Sequence, residues 1–397
     1  MYDYLIAGGG RAAVAAVEGI RELDPSGSIL VVGAEAHLPY DRPPLSKQLW
    51  SGKKTVDEIF VHDSGYFERE NIQLATAERV IEVQPADKTV VTDRGRRESY
   101  GKLLLATGGT PRRLPIPGAG LEGVIYYRTL DQYKALSRDP KGKSILIVGS
   151  SFIGSEIAAA LSQNEARVTM VFPGRYLCER VFPVSLARSI QSDYVERGIR
   201  VVGGARLTSI APKRRGLVAH TQNGERIECD TVVVGAGIEP EVELAIGAGL
   251  SVQDGIVVNE RLESSAEGIY AAGDNASFPY QALGKQMRIE HWDNALSQGK
   301  AAGRNMAGAG EPFTYMPYFY SDLFDFGYEA VGDVDSSLTT FADWEKENET
   351  GAIYYLADGR VRGVMLCNIW GKLDEARTLI RGGVDVSERD LRGAIRA

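Results

Sequence analysis

The sequence predicts an α/β fold with two Rossmann-like units and a small α+β domain at its C-terminal end. Three observations lead there. A glycine-rich turn joins an apolar strand to an apolar helix twice, at residues 8–13 and 149–154. Each copy is completed by an apolar strand running into a second glycine turn and a proline, KLLLATGGTP (102–111) and DTVVVGAGIEP (230–240). Beyond residue 311 the pattern changes to a hairpin and a helix with no such turn.

The first unit occupies the first thirty-five residues. Tyr4 to Ala7 make a strand, and GGGRAA turns into a helix rich in Ala and Val, ended by Asp24-Pro25. Ile29 to Val32 make the next strand, which finishes at Gly33-Ala34-Glu35. This is a G-x-G-x-x-A dinucleotide-binding fingerprint. Gly8 serves the tight turn, Gly10 the close approach of a pyrophosphate, and Ala13 the helix–strand packing. The helix N-terminus offers free N–H groups to phosphate, and Glu35 is placed to accept from an adenosine ribose hydroxyl.

The second unit repeats the plan. Ile145 to Val148 make the strand, Ser155 to Gln163 the helix, and Val168 to Val171 the following strand. Gly149, Ser151 and Gly154 hold the fingerprint positions, with Phe152 and Ile153 inside the turn. Ser151 in place of the middle glycine predicts a slightly wider approach of phosphate to backbone. Thr107, Gly108 and Gly237, in the strand-end turns, join the candidate nucleotide contacts. Two such units mean two nucleotides, most simply FAD and a nicotinamide dinucleotide.

The copies differ in one insertion. HLPYDRPPLSKQLW follows Glu35 and has no counterpart in the second unit; Pro39, Pro43 and Pro44 stiffen it, and it carries Arg42 and Lys47. In the C-terminal segment, Asp358-Gly359 is a two-residue hairpin turn inside AIYYLADGRVRGVML. Leu373, Ala376, Leu379 and Ile380 share one helix face, which Gly382-Gly383 terminates.

Composition narrows the function. A chain of 397 residues suggests two or three domains, and no run approaches the ~18 apolar residues of a membrane span. Net charge −8 argues against a nonspecific hold on nucleic acid or an anionic membrane. Cys178, Cys229 and Cys367 are far apart, with no C-x-x-C pair and no metal-ligand spacing. The chain opens on a strand without a basic or Arg-rich leader, so a cytoplasmic location is expected.

The order of GGGRAA, LPYDRPPLSK, LLLATGG, VGSSFIGSE, YAAGD and EHWDNA resembles the ferredoxin-reductase branch of the two-dinucleotide-fold flavoproteins. The later segments SDLFDFGYEAVGDVDSSL and NIWGKLDEARTLIRGG are most similar to the apoptosis-inducing-factor members of that branch. The resemblance covers nearly the whole chain. It implies an FAD domain (1–113 and 235–311) interrupted by an NAD(P) domain (114–234), then a C-terminal domain (312–397).

Several roles are implied by the resemblance alone. Arg42 and Lys47 approach the FAD, and Asp274 of YAAGD binds its ribityl chain. Lys47 pairs with Glu156 beside the flavin N5, and these two are the catalytic candidates. Phe152 lies near the nicotinamide, and Glu290, His291 and Trp292 line another approach to the rings. The helix that follows, from about Asn294 to Arg304, points its N-terminus at the flavin pyrimidine. Tyr320 is a flavin-side aromatic of the C-terminal domain. One position departs from the pattern. NADH-specific members commonly end the second strand of the NAD fold with an acid, where this chain has Phe172-Pro173-Gly174-Arg175. An acid repels a 2′-phosphate and an Arg attracts one, so NAD and NADP both stay open.

The activity implied is an FAD-dependent NAD(P)H oxidoreductase that passes hydride to flavin and then electrons to a ferredoxin-type iron–sulfur protein. The alternative is an NADH-sensing flavoprotein of slow turnover, whose reduced flavin–nicotinamide complex controls association; a homodimer stays open. Disulfide-reductase chemistry needs a cysteine in the flavin loop, and RPPLSKQLW has none. Arg112-Arg113 and Lys213-Arg214-Arg215 are candidate docking charges for an acidic acceptor.

Overall fold

A computed structural model describes residues 1–396. The first repeat is built from strand β1 (Tyr2–Ala7), helix α1 (Arg11–Arg21) and strand β2 (Ile29–Val32). The second is built from strand β3 (Ser144–Val148), helix α2 (Phe152–Gln163) and strand β4 (Arg167–Val171). In each, the two strands pair in parallel, with Ala7 opposite Val32 and Val148 opposite Val171. Helix α2 starts three residues earlier than the apolar pattern indicated. Ser151 is its N-cap, so Phe152 and Ile153 are already helical. All four residues of β2 are buried, as a strand covered on both faces requires.

Contacts divide the chain into two units. The first comprises Met1–Asp41, Val56–Thr110 and Glu239–Phe319. Its main sheet has seven strands, in which Ile72–Ala75, β2, β1 and Arg97–Leu105 run side by side and Ile269–Ala271 also pairs with Arg97–Leu105. Strand β1 is therefore flanked on both sides at the point where the chain order reverses, the usual place for a nucleotide at the carboxyl ends of the strands. Helix α3 (Trp292–Met306) packs parallel to α1 with almost no space between backbones. A Cβ added at Gly19, Gly299 or Gly303 would stand 2.0–2.2 Å from a carbonyl oxygen of the opposite helix.

The second unit comprises Arg42–Thr55, Pro111–Ile238 and Tyr320–Ala397. Its parallel sheet runs in the order Arg200–Val202, β4, β3, Thr231–Val234, Val124–Tyr126. A three-stranded antiparallel sheet over 207–229 shares with it a core that includes Leu146, Val171, Ala219 and Val232. The Arg42–Thr55 segment is tied in by hydrogen bonds. Trp50 Nε1 donates to Tyr127 Oη at 3.3 Å, Tyr133 Oη to the Leu49 carbonyl at 3.2 Å, and Asn164 Nδ2 to the Trp50 carbonyl at 3.2 Å.

The C-terminal part holds a five-stranded sheet and a helix, Leu373–Gly382, closed by Gly383 at φ +58°. Asp358 and Gly359 form the hairpin turn, both at positive φ, as a type I′ turn demands. Among the described residues no helix is long and apolar enough to cross a membrane.

Candidate active site

The first-unit turn is shaped by what it excludes. Gly8 has φ +135°, and a Cβ there would lie 2.1 Å from the Ala106 carbonyl oxygen. Its N–H donates to the Val32 carbonyl at 2.8 Å, which closes the turn onto β2. Gly10 is the N-cap of α1 at φ −96°, with no side-chain cap, and a Cβ there would meet nothing within 4 Å. Ala13 is fully buried. An uncapped helix N-terminus facing open space is what a pyrophosphate needs. Glu35 lies three residues beyond β2 rather than at its last position, and one of its oxygens accepts from Tyr40 Oη at 2.6 Å.

Thr107, Gly108 and Asp274 gather in the same unit. Thr107 Oγ1 donates to the Glu241 carbonyl at 3.0 Å and accepts from Asn275 Nδ2 at 2.9 Å. Gly108 has φ +71°, and the Asp274 carbonyl accepts from Arg288 Nη1 at 2.9 Å. Buried amides sit around this turn. Gln298 Oε1 accepts from the Gly273 N–H at 2.9 Å, and Asn294 Nδ2 donates to the Ile289 carbonyl at 2.9 Å. Asn275 Oδ1, Asn294 Oδ1 and Gln298 Nε2 are buried without a hydrogen-bond partner in the protein. Such groups cost about 1–3 kcal/mol each unless a ligand meets them, so the turn fits a polar cofactor such as FAD.

The Glu290-His291-Trp292 segment leads into α3. Glu290 pairs with Arg288 at 2.6 Å. His291 is the N-cap of α3 and stacks on Phe319, ring centroids 4.4 Å apart. Burial pushes its pKa down to about 4, against an opposing pull from Asp274, so the ring is neutral at pH 7. Trp292 Nε1 donates to Asp41 Oδ1 at 2.6 Å, and the Arg11 guanidinium lies 5.9 Å from the Trp292 ring.

In the second unit Gly149 has φ +116°, and its Cβ would lie 2.3 Å from the Gly235 carbonyl oxygen. A Cβ on Gly154 would lie 2.5 Å from the Gly149 carbonyl oxygen, so the turn is as tight as its counterpart. Ser151 leaves α2 without a side-chain cap, Ile153 is 41% exposed, and Phe152 is half-buried. Gly237, at φ +87°, accepts from the Arg112 N–H at 3.0 Å.

Glu156, in the first turns of α2, is a buried charge. Its side chain is 3% exposed and pairs with Lys47 Nζ, which is 8% exposed. The 3₁₀ turn Pro43–Ser46 delivers Lys47, and Arg42 Nη1 holds the start of that turn to the Arg128 carbonyl at 3.0 Å. The Ser46 hydroxyl donates to the other Glu156 oxygen. Ser321 Oγ donates to Glu156 from the C-terminal sheet at 2.6 Å. Lys47 Nζ also lies 5.1 Å from the Tyr320 ring centroid, a cation–π contact. The resemblance implies the Lys47–Glu156 pair and names Tyr320 apart from it; it points to neither serine. Ser46 stood in plain view beside Lys47, whereas nothing in sequence pointed from Ser321 to a glutamate 165 residues away.

Arg175 stacks beside Tyr176, its guanidinium 5.2 Å from the ring centroid. Of the basic runs, Arg112 Nε donates to the Ile238 carbonyl, Arg113 lies 4.2 Å from the Tyr126 ring centroid, and Lys213 pairs with Glu228. The three cysteines are buried free thiols. Burial pushes Cys178 up to about 12 and Cys229 up to about 11, and it raises Cys367 as well, so none is a thiolate at neutral pH. Among the described residues no group of three or more His, Cys, Asp or Glu could hold a metal ion.

Comparison with known proteins places this architecture. A family model described as pyridine nucleotide-disulphide oxidoreductase matches residues 2–299, and one for the C-terminal part of mitochondrion-associated apoptosis-inducing factor matches 302–352. Mitochondrial apoptosis-inducing factor 1 of Dictyostelium discoideum is 34% identical, over 96% of this chain and 78% of its own length. The ferredoxin–NAD(+) reductase component of the anthranilate 1,2-dioxygenase system from Burkholderia cepacia is 31% identical, over 96% and 94%. Among solved structures, the ferredoxin reductase for the CYP199A2 system from Rhodopseudomonas palustris superposes with a TM-score of 0.91 at 29% identity, covering 97% of this chain and 96% of that one. The reductase in the covalent putidaredoxin reductase–putidaredoxin complex gives 0.92 at 28%, covering 98% and 95%.

The chain thus belongs to the pyridine nucleotide-disulphide oxidoreductase family. Within it, the chain is an FAD-dependent NAD(P)H oxidoreductase of the ferredoxin-reductase type.

Proposed function

We propose that this chain takes hydride from NAD(P)H and delivers electrons to a ferredoxin-type iron–sulfur protein. The observation that carries the reading is the pair of uncapped helix N-termini, each behind a strand-borne glycine turn. Relatives named as ferredoxin reductases match the chain almost end to end. Bound FAD would supply the redox chemistry, accepting hydride and releasing electrons singly. The protein supplies binding and orientation.

We assign the FAD pyrophosphate to Gly8, Gly10 and Ala13, the adenosine ribose to Glu35, and further FAD contacts to Arg42, Thr107, Gly108 and Asp274. Glu290, His291 and Trp292 are assigned to the approach to the ring system, where neutral His291 brings no charge of its own. Gly149, Phe152, Ile153, Gly154, Arg175 and Gly237 are assigned to the nicotinamide dinucleotide. Lys47 and Glu156 are assigned to the flavin N5 edge, with Tyr320 beside Lys47. There a matched pair positions the nicotinamide without moving a proton. The domain spans 1–113 with 235–311, 114–234, and 312–397 belong to the same reading. Three free thiols suit a reducing compartment, so we place the activity in the cytoplasm, which cell fractionation would check.

An anaerobic titration with NADH and NADPH, followed in the flavin absorbance, tests the proposal. Stoichiometric bleaching followed by fast reoxidation with a [2Fe–2S] ferredoxin is expected. A protein that binds no flavin, or that bleaches with neither nucleotide, would overturn it. Bleaching with slow turnover and nucleotide-dependent dimerisation would favour instead a sensing role, the reading that the match at 302–352 supports.

A further inference from the structure

The two repeats are superposable by register, and the register exposes a substitution in space. Gly8 N–H donates to the Val32 carbonyl, and Gly149 N–H donates to the Val171 carbonyl in the same way. Counting three residues from each strand end, Glu35 of the first repeat corresponds to Gly174 of the second. The ribose-facing acid is therefore missing from its own place in the second repeat. It is replaced from elsewhere. The carboxylate of Glu179 lies directly over Gly174, where a Cβ would stand 2.1 Å from Glu179 Oε1. Glu179 Oε2 accepts from the Arg175 N–H at 2.7 Å and from the Tyr176 N–H at 3.1 Å. The Glu179 backbone is itself held, since its carbonyl accepts from the Ser336 hydroxyl and the Arg180 carbonyl accepts from the Ser336 N–H at 2.9 Å.

We infer that Glu179 is the residue that sets nucleotide specificity, supplying from five residues downstream the negative charge that favours NADH over NADPH. The inference rests on the assignment of the second fingerprint to the nicotinamide dinucleotide. Two backbone N–H groups fix the carboxylate, and its second oxygen is left to accept from a ribose hydroxyl. A 2′-phosphate carrying a charge near −2 would meet this carboxylate at close range. Arg175 is the competing charge. Its guanidinium is drawn onto the Tyr176 ring on an exposed loop, alongside Arg188, which lies 5.7 Å from the same ring centroid. A partly buried charge held by two N–H groups outweighs an exposed, solvated one. Gly174 then has a definite purpose: it is the gap that admits the Glu179 carboxylate.

The test is a calorimetric titration of the oxidised, FAD-loaded protein with NAD⁺ and with NADP⁺. The unmodified protein should bind NAD⁺ at least about tenfold more tightly. Glu179→Gln keeps an acceptor for the two N–H groups and removes the charge. It should tighten NADP⁺ binding about tenfold while NAD⁺ changes by no more than about threefold. The double variant Gly174→Glu/Glu179→Ala returns the acid to the position Glu35 holds in the first repeat, and should restore the preference for NAD⁺. Equal loss of both nucleotides in Glu179→Gln, or an unmodified protein that prefers NADP⁺, would overturn the inference. If neither nucleotide binds the flavin-loaded protein, the dinucleotide assignment itself falls and the inference falls with it.

Discussion

Replacing Lys47 by Met tests the ion pair at the centre of the second unit. Methionine roughly preserves the length of the lysine stem and removes only the charge. Glu156 is then left 3% exposed with the Ser46 and Ser321 hydroxyls as its donors. Breaking a buried pair from one side costs about 3–5 kcal/mol. Two surviving hydroxyl donors place this case near the lower limit, so a loss of about 3 kcal/mol at pH 8 is expected. Urea unfolding at pH 8 measures it. The double variant Lys47→Met/Glu156→Leu provides the control and should recover about 2 kcal/mol of the loss. A single-variant loss below about 1 kcal/mol, or a double variant no more stable than the single one, would refute the reasoning.

Three further predictions follow from the same geometry. Gly10→Ala should leave the flavin-free protein within about 0.5 kcal/mol of its original stability, because its Cβ meets nothing, yet weaken FAD about tenfold or more. Gly8→Ala should compromise folding itself, and thermal melting with and without FAD separates the two. The unmodified protein should lose roughly 3 kcal/mol between pH 7 and pH 4 that His291→Phe does not lose. The folded imidazole stays neutral down to about pH 4, while the unfolded one takes up its proton near 6.5, so stability falls with pH across that window. Equal pH slopes in the two proteins would discount His291. Ser321→Ala removes one donor from Glu156 and should cost about 1–2 kcal/mol, with Ser321→Thr recovering part of it. If alanine and threonine behave alike in urea unfolding, the hydroxyl is not what matters.

Much of this was legible because glycine turns and strand periodicity are local properties. Gly8, Gly149, both βαβ units and the Asp358-Gly359 hairpin depend on residues within a few positions of one another, and pattern finds them. The apolar pattern starts α2 three residues late because Phe152 and Ile153 look like turn residues, whereas Ser151 is the N-cap position and both are helical. What sequence could not supply were contacts that cross the chain. Ser321 meets Glu156 across 165 residues of chain, and Asn275, Asn294 and Gln298 look like ordinary polar residues until their burial is known. Glu179 lay outside the reading for a different reason. The fingerprint names one position in the chain, whereas Glu179 brings its carboxylate over Gly174 from five residues downstream.

The seam between α1 and α3 bears on any attempt to make this protein hardier. Exchanging a helical glycine for alanine ordinarily adds up to about 1 kcal/mol, so Gly19, Gly299 and Gly303 would be early choices in a stabilisation programme. Here each exchange would wedge a methyl group against the opposite backbone and push the two helices apart. Both begin at proposed cofactor contacts, one at Gly10 and the other beside His291, so a wedge at mid-helix would be felt at both ends of the ligand. Thermostable variants should therefore be sought among glycines at negative φ whose added Cβ meets open space, such as Gly120 and Gly247.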